Sequence, residues 1–219
     1  MIMLKLIDIH KTFNPGTINE KVALNGVDLH LNEGDFVTVI GGNGAGKSTM
    51  LNAVAGAWPV DSGKIIIGET DVTKLSEYKR AAYLGRVFQD PMTGTAATMG
   101  IEENLALAKR RGKTRLLRPG ITKAERAEYK ELLKILNLGL EDRLTSKVGL
   151  LSGGQRQALT LLMATLQKPK LLLLDEHTAA LDPKTAAKVL DITDKIVNRD
   201  HLTTLMITHN MKDAIAHGN

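Results

Sequence analysis

The sequence contains no cysteine, few aromatic residues and no long apolar run. Without cysteine the chain can form no disulfide framework, no thiolate metal site and no cysteine nucleophile. No apolar run approaches the roughly 18 residues that a membrane-spanning helix needs. The N-terminal segment carries Lys5, Asp8 and Lys11 and lacks the apolar core of a signal peptide. We therefore expect a cytosolic protein that acts at a membrane only through a partner.

What the chain does have is length and a positive charge surplus. Its 219 residues are enough to bury a sizeable core within one large domain. Its 29 lysines and arginines outnumber its 24 acidic residues, so composition alone admits nucleic acid as a partner. The surplus is local, because one run without any acid carries more charge than the whole net +5. The cations of this basic segment are Lys109, Arg110, Arg111, Lys113, Arg115 and Arg118.

Short apolar runs alternate with helical patterns along the chain. The runs predict strands over residues 4–9, 22–31, 36–40, 64–67, 85–88, 171–174 and 203–208. The spacing of apolar residues predicts helices over 47–55 and 186–197 and a mainly helical stretch over 101–168. Thr122 and Glu125 fit a capping box at a helix start. The alternation favours an α/β fold with a mainly parallel core sheet and an inserted helical subdomain.

A glycine-rich motif lies between the third predicted strand and the helix that follows it. Residues 41–48 read Gly-Gly-Asn-Gly-Ala-Gly-Lys-Ser and match the pattern G-x-x-x-x-G-K-[ST]. Glycines let backbone N–H groups point at phosphate oxygens, and the helix N-terminus adds positive potential. Lys47 would reach the outer phosphates and Ser48 would offer its hydroxyl to Mg²⁺. A turn that only caps a helix is the alternative, but the context favours a nucleoside triphosphate site.

Two carboxylates end the four-leucine run at residues 171–174. A buried parallel strand brings its carboxyl end to the edge where α/β proteins bind ligands. Asp175 would then hold Mg²⁺, directly or through water, and Glu176 would position a water for attack on the γ-phosphate. Taken alone, the pair is equally typical of a solvated turn. The upstream phosphate loop favours the catalytic interpretation.

Residues 151–155 read Leu-Ser-Gly-Gly-Gln and open another apolar helix. Ser152 and Gln155 fit an ordinary capping box. However, two glycines in a first turn cost up to about 1 kcal/mol each relative to alanine, and close approach to an anion would explain them. With this motif the sequence resembles the ATP-binding-cassette (ABC) ATPases over nearly its whole length. The other family motifs follow in order, with a glutamine loop at Gln89, the acidic strand at Asp175, a D-loop at Asp182 and a switch histidine at His209.

The resemblance implies a fold, a domain organisation and an activity. The fold is a P-loop NTPase with a mainly parallel core sheet, an N-terminal antiparallel β part and an inserted α-helical subdomain. Residues 1–219 would form a single nucleotide-binding domain, with a catalytic core over 1–90 and 168–219 and the helical subdomain over 91–167. The activity is ATP hydrolysis coupled to transport, with ATP and Mg²⁺ as the bound groups.

The resemblance also implies roles for individual residues. Glu176, His209 and Gln89 would be catalytic, and Ser48, Gln89 and Asp175 would contact the metal. Phe13 would stack on the adenine, although simple core packing also accounts for it. The nucleotide would further contact Gly41, Gly42, Asn43, Gly44, Ala45, Gly46, Lys47, Ser48 and Thr49. In a head-to-tail dimer, the ATP of a second copy would contact Ser152, Gly153, Gly154 and Gln155, and Asp182 would link the two sites.

Two features depart from the family pattern. His177 stands where many members have proline or alanine after the glutamate. It would either tune the local electrostatics or have no effect on the site, and we favour the second interpretation. The chain ends at Asn219, soon after His209, whereas the family usually continues with further strands and helices. We therefore expect the C-terminal end to be truncated relative to the family.

The architecture favours the ATPase subunit of a membrane transporter. Soluble members that act on the ribosome usually carry two cassettes, and DNA-repair members insert a long coiled coil that residues 47–175 lack. Such a soluble ATPase is the alternative. A separate ATPase chain resembles bacterial importers. We therefore expect a second copy, a transmembrane permease and a solute-binding protein as partners at the cytoplasmic face of the membrane, and no nucleic acid.

Four short segments, two of which overlap, bear on the transported solute and on docking. Residues 90–99 and 175–180 resemble an importer subgroup. The importers related to that subgroup suggest an amino-acid-like solute. Residues 89–104 would form the groove for the permease's coupling helix. The basic segment is either a solvated loop or a face toward the permease and anionic lipid.

Overall fold

The computed structural model describes residues 1–113 and 120–218, which form eight strands, seven α-helices and two short 3₁₀ turns. The strands are β1 (Ile2–Phe13), β2 (Lys21–Asn32), β3 (Phe36–Val39), β4 (Ser62–Ile67), β5 (Thr70–Asp71), β6 (Leu84–Val87), β7 (Leu171–Asp175) and β8 (Thr203–Ile207). The helices are α1 (Lys47–Ala55), α2 (Glu77–Arg80), α3 (Ile101–Lys109), α4 (Lys123–Lys134), α5 (Gly153–Thr165), α6 (Pro183–Asp200) and α7 (Met211–His217). The 3₁₀ turns cover Leu140–Asp142 and Val148–Leu150. Within the described ranges, no helix has the length and apolar character needed to cross a membrane.

The first sheet is antiparallel and has the strand order β2-β1-β4-β5. The β1–β2 register places Lys5 opposite His30 and Phe13 opposite Lys21. Along β1, Leu4 and Leu6 are buried while Lys5 between them is exposed, as expected for a strand with one face in the core. This sheet is the N-terminal antiparallel part that the family resemblance implies.

The second sheet has the strand order β3-β8-β7-β6. β3 pairs with β8 in parallel, and β8 pairs with β7 in parallel. The register aligns Val39 of β3 with Ile207 of β8, and Ile207 with Asp175 of β7. The four leucines at 171–174 are fully buried, which explains the continuous apolar run in β7. The predicted parallel core sheet is therefore confirmed, and the carboxyl ends of β3, β8 and β7 form one row.

Contacts divide the chain into two compact units. The first comprises Met1–Gly85, Pro169–Asp175 and the C-terminal residues from His201. The second comprises Arg86–Lys168 and Glu176–Asp200, and it contains helices α3 to α6. The second unit thus includes α6 as well as the predicted helical subdomain, whose limits at 91 and 167 stay a prediction.

One hydrophobic core in the first unit joins both of its sheets to helix α1. Its fully buried members include Leu4, Leu31, Leu51, Val54, Ile65, Ile67, Leu171, Leu173, Leu205 and Ile207. Because α1 begins at Lys47, this packing also fixes the helix end that follows the phosphate loop.

A buried arginine binds the opposite end of α1. Helix α1 ends at Gly56, which has a φ of 85°. The Arg80 guanidinium donates to the carbonyl oxygens of Ala53 and Val54, at 2.6 and 2.9 Å, and also to the backbone at Leu75. These bonds satisfy carbonyl groups that a helix C-terminus leaves without partners. Burial lowers the pKa of Arg80, which is the last residue of α2 and is only 2% exposed.

Three cations of the basic segment, Lys109, Arg110 and Arg111, have contacts within the second unit. Lys109 pairs with Glu128, and Arg110 pairs with Glu125 at 3.0 Å. Arg111 is partly buried, and desolvation lowers the pKa of its guanidinium. These contacts give three of the cations a structural role in attaching the end of α3 to its neighbours. Two further members, Arg115 and Arg118, lie outside the described residues.

Replacing Arg80 with methionine is expected to lower the free energy of unfolding by about 2–4 kcal/mol, because several buried carbonyl oxygens lose their donor. Urea denaturation followed by circular dichroism measures the change. Lys79→Met, an exposed neighbour on the same helix, is the control and should change stability by less than about 0.5 kcal/mol. Equal unfolding midpoints for the two variants would contradict this role of Arg80.

Candidate nucleotide-binding site

The phosphate loop connects β3 to α1 in the first unit. Gly46 adopts a φ of 87°, and a Cβ there would lie 2.4 Å from the carbonyl oxygen of Ala23. Only glycine therefore fits this turn. Lys47 is buried, and its ammonium donates to the carbonyl oxygens of Gly41 and Gly42 at 2.7 and 3.0 Å. The loop thus holds the lysine charge at the N-terminal end of α1, which no described side chain caps.

The other residues of the loop are more accessible. Asn43 and Ser48 are exposed, whereas Thr49 is half-buried in the first turn of α1. A hydroxyl at Ser48 can therefore contact a ligand at the helix N-terminus. Backbone N–H groups of this turn and the helix dipole favour an anion at the same place.

The strand register gathers two more predicted site residues at this edge of the sheet. The phosphate loop follows Val39, and Thr208 and His209 follow Ile207. The backbone N–H of Thr208 donates to the Val39 carbonyl at 3.2 Å, which extends the pairing past the strand end. Asp175, half-buried, is aligned with Ile207, and His209 is exposed. The first unit therefore brings the phosphate loop, Asp175 and His209 to one row of strand ends.

Glu176 begins the second unit immediately after Asp175. Its φ of 46° lies in the left-handed region, which a residue with a Cβ adopts at an energetic cost. The Glu176 carbonyl accepts from the Ala179 N–H at 2.9 Å, so the chain turns sharply here. Strained positions of this kind cluster at functional sites because the surrounding structure must hold them.

His177 is buried and links this turn to α6. Its Nε2 lies 3.2 Å from the Thr193 hydroxyl, which donates its proton to the Val189 carbonyl at 2.9 Å. Because a hydroxyl has one proton to give, Thr193 accepts from His177, and Nε2 carries a hydrogen. The residue is therefore a hydrogen-bonded core histidine with a place in the packing.

The glycine motif forms the N-terminus of α5. The Ser152 hydroxyl accepts from the Gln155 N–H at 3.3 Å, and the Gln155 side chain accepts from the Ser152 N–H at 3.1 Å. The structure thus contains the predicted capping box. A Cβ at Gly154 would lie 2.1 Å from Cγ2 of Thr185 in α6, whereas Gly153 is exposed. The packing of α5 against α6 thus requires glycine at position 154. The sequence did not indicate this requirement, because Thr185 is distant in the chain.

Asp182 caps α6. Its side chain accepts from the Thr185 N–H at 3.1 Å, and Pro183 occupies the first helical position. The hydrogen bonds from Thr185 hold the pKa of Asp182 below its usual value. The residue is exposed, so the cap leaves part of the carboxylate accessible.

Gln89 lies in the turn that follows β6 and is exposed. Both of its neighbours are fixed: the Phe88 carbonyl accepts from the Gln157 side chain at 2.9 Å, and the Asp90 carboxylate accepts from the Met92 N–H at 2.8 Å. The turn is therefore well defined by bonds within the second unit.

Phe13 ends β1 and is half-buried in the first unit. Lys21, opposite Phe13 in the β1–β2 register, places its ammonium 3.6 Å from where a Cβ on Gly44 would be. Lys21 therefore brings a second cation beside the phosphate loop. Sequence reasoning missed this residue, since its position follows from pairing across a hairpin rather than from a motif.

The implied metal ligands form a sparse set. Among the described residues no group of three or more histidine and acidic side chains could hold a metal. Ser48 and Asp175 belong to the first unit, and Gln89 belongs to the second. Such oxygen donors fit Mg²⁺, which keeps several waters and binds through one or two carboxylates and substrate phosphates.

Comparison with known proteins agrees with these features. Residues 24–179 match the family model described as ABC transporter. A tyrosine transport ATP-binding protein of Clostridioides difficile is 45% identical to the chain, over 99% of this chain and 86% of the relative. A methionine import ATP-binding protein, MetN, of Rhizobium etli is 37% identical over 96% of this chain. The chain spans only 55% of that relative's length.

Solved structures give the same result. The dimeric structure of MJ0796, a bacterial ABC transporter cassette, has a TM-score of 0.82 and 31% identity, covering 99% of this chain and 91% of its own. The same cassette in a post-hydrolysis state bound to ADP and Pi has a TM-score of 0.81, with 31% identity and coverage of 97% and 90%. The predicted fold class and family are confirmed, and the chain belongs to the ABC transporter family as an ATP-binding cassette that hydrolyses ATP.

Proposed function

We propose that this chain is the ATPase subunit of a bacterial importer and that it hydrolyses Mg-ATP at the carboxyl ends of its parallel sheet. The observation that carries the proposal is the strand register in the first unit, which puts the phosphate loop, Asp175 and His209 in one row. The phosphate loop and the α1 N-terminus supply N–H groups and positive charge for the triphosphate.

Each predicted site residue has a proposed role. Lys47 neutralises the outer phosphates, and Ser48 and Asp175 supply oxygen atoms for Mg²⁺, with Gln89 as a further ligand. Bound Mg²⁺ would offset the charge on the β- and γ-phosphates. His209 contacts the γ-phosphate, and Phe13 stacks on the adenine.

Glu176 is the proposed general base. A carboxylate held next to the metal ligand Asp175 can orient a water for in-line attack and accept its proton. Its left-handed backbone supports this role, because the fold keeps a strained glutamate at a position that glycine or asparagine would occupy at lower cost.

The ATPase acts as a dimer with a membrane permease. We further propose that the dimer is head to tail and that the first turn of α5, Ser152–Gln155, in which Ser152 and Gly153 are exposed, contacts the ATP of the second copy. Asp182, exposed beside Leu181, then links the two sites. Positive potential at the N-terminus of α5 supports the contact, since an anion is favoured there.

The proposed solute is an amino acid. The relatives are named for tyrosine transport and methionine import, which supports this class of solute. A solute-binding protein would deliver it, and the ATPase would work at the cytoplasmic face, with residues 89–104 receiving the permease. A soluble ATPase on ribosomes or nucleic acid is not favoured, because the relatives are transport proteins and the described basic residues 109–111 have structural roles.

Glu176→Gln is expected to lower ATP hydrolysis at least about 100-fold with little change in ATP affinity, because the amide keeps the shape but cannot accept a proton. Phosphate release and calorimetric titration with ATP measure the two quantities. Lys47→Ala is the matched comparison and should lose ATP binding itself. Undiminished turnover in the Glu176 variant would overturn the assignment of the base.

A second prediction separates packing from nucleotide contact at the glycine motif. Gly154→Ala should lower the free energy of unfolding by about 1–3 kcal/mol, because the new methyl group collides with Thr185. Thr185→Ser removes the colliding Cγ2 and keeps the backbone bond to Asp182, so the double variant should recover most of the loss. Gly153→Ala, at an exposed site, is the control and should cost less. Urea denaturation measures all four proteins, and a double variant no more stable than Gly154→Ala would contradict the packing role.

A further inference from the structure

Residues 57–61 follow the C-cap Gly56 of α1 and lead into β4, and the side chain of Asp61 attaches them to the end of β1. The Asp61 carboxylate accepts from the Lys11 ammonium at 2.9 Å and from the Thr12 N–H at 2.6 Å. The Asp61 N–H donates to the His10 carbonyl at 2.9 Å. One residue therefore fixes the three positions that precede Phe13. The bonds from Lys11 and Thr12 hold the pKa of Asp61 below its usual value, so the carboxylate stays ionised at neutral pH.

The same segment places an indole ring against Phe13. The ring centroids of Trp58 and Phe13 are 5.1 Å apart and the planes are inclined by 83°, which is a favoured edge-to-face arrangement. Lys11 lies 5.6 Å from the Phe13 centroid. Trp58 is 39% exposed, an unusual position for the largest apolar side chain. The Phe13 ring therefore packs against a tryptophan, and a lysine that Asp61 anchors lies over the ring.

The inclination of the rings limits what Trp58 can do. A purine stacked on Phe13 lies parallel to that ring, and so it is nearly perpendicular to the indole. It cannot stack on both rings. Trp58 therefore suits the task of fixing the orientation of Phe13 rather than that of a second stacking surface.

The segment is also continuous with the helix that carries the phosphate-binding lysine. The N–H groups of Gly56, Ala57 and Trp58 lie 3.0, 3.0 and 3.4 Å from the Asn52 carbonyl, so the segment is bonded to the last turn of α1. Since α1 begins at Lys47, one bonded path in the first unit runs from the phosphate loop to Phe13.

We propose that Trp58 and Asp61 are positioning residues that hold the Phe13 ring in the orientation that receives the adenine base. This inference rests on the proposed nucleotide site and extends it to residues outside the family motifs. Its consequence is selective: loss of either side chain should weaken the contact with the base and leave the contact with the phosphates unchanged.

The experiment compares two probes, ATP and inorganic tripolyphosphate, the second of which has no base. Calorimetric titration of the purified chain gives both dissociation constants for Trp58→Ala, Asp61→Ala and Phe13→Ala. We expect ATP to bind about three- to tenfold more weakly to each variant, with tripolyphosphate unchanged. Trp58→Phe keeps an edge-to-face partner and should stay within about twofold of the wild type. Tyr78→Ala, an exposed aromatic on α2, is the matched control and should bind both probes normally.

Two further measurements test the path through Phe13. In a Phe13→Ala background, Trp58→Ala should weaken ATP binding no further, because the ring that it positions is absent. Trp58 is the single tryptophan of the chain, so its fluorescence reports on this site alone. ATP should change the emission of the wild-type protein, and tripolyphosphate should change it less.

The outcomes separate this inference from the proposed function. Equal weakening of both probes in the Trp58 and Asp61 variants would mean a general structural role and would overturn the inference. Unchanged affinity for ATP in those variants would also overturn it, as would additive losses in the Phe13 background. If the wild-type chain bound neither probe, the nucleotide site itself would fail, and the inference with it.

Discussion

The hydrogen-bond register of three parallel strands is the constraint on which the rest of the site depends. A shift of β8 by one residue would turn every buried side chain of that strand to the other face and move His209 along the edge. The continuous burial of β7 and β8 makes such a shift costly, because both faces of each strand pack in the core. The position of Asp175 and of the phosphate loop therefore follows from the packing of these apolar strands.

Close packing against glycine is the second recurring requirement. Gly46 lies against the carbonyl of Ala23, and Gly154 lies against Thr185, so two of the motif glycines are needed before any ligand is considered. At the other terminus of α1, the buried guanidinium of Arg80 donates to the carbonyl groups of Ala53 and Val54. Stability and ligand binding thus place overlapping demands on the same short stretches of backbone.

The sequence was most informative where a local pattern sets the structure. The buried strands and the capping boxes at Thr122 and Ser152 were predictable, because each depends on neighbouring residues. Helix α2 was not, since its four residues are too few for a helical period. Helix α7 was missed as well, because Ala214 is its one buried residue and it has no apolar face to recognise.

The site divides in the same way. The glycines of the phosphate loop and the carboxylates at the end of β7 were predictable from their spacing in the sequence, since phosphate and metal binding require those residue types. The position of Lys21 was not predictable, because the register of the β1–β2 hairpin brings it to Gly44. The packing role of Gly154 was not predictable either, because Thr185 lies in another helix. Non-local contacts of this kind depend on the whole fold, and no short window of sequence contains them.

The left-handed backbone of Glu176 lowers the stability of the fold at a residue that is proposed to be needed for ATP hydrolysis. At a φ of 46°, glycine or asparagine would relieve the local strain, so a sequence chosen for thermal stability alone would discard the glutamate. The same substitution would remove the group proposed to accept a proton. Efforts to engineer heat-resistant versions of such cassettes should therefore leave residue 176 unchanged. A substitution there that raised the melting temperature would yield a protein that no longer hydrolyses ATP.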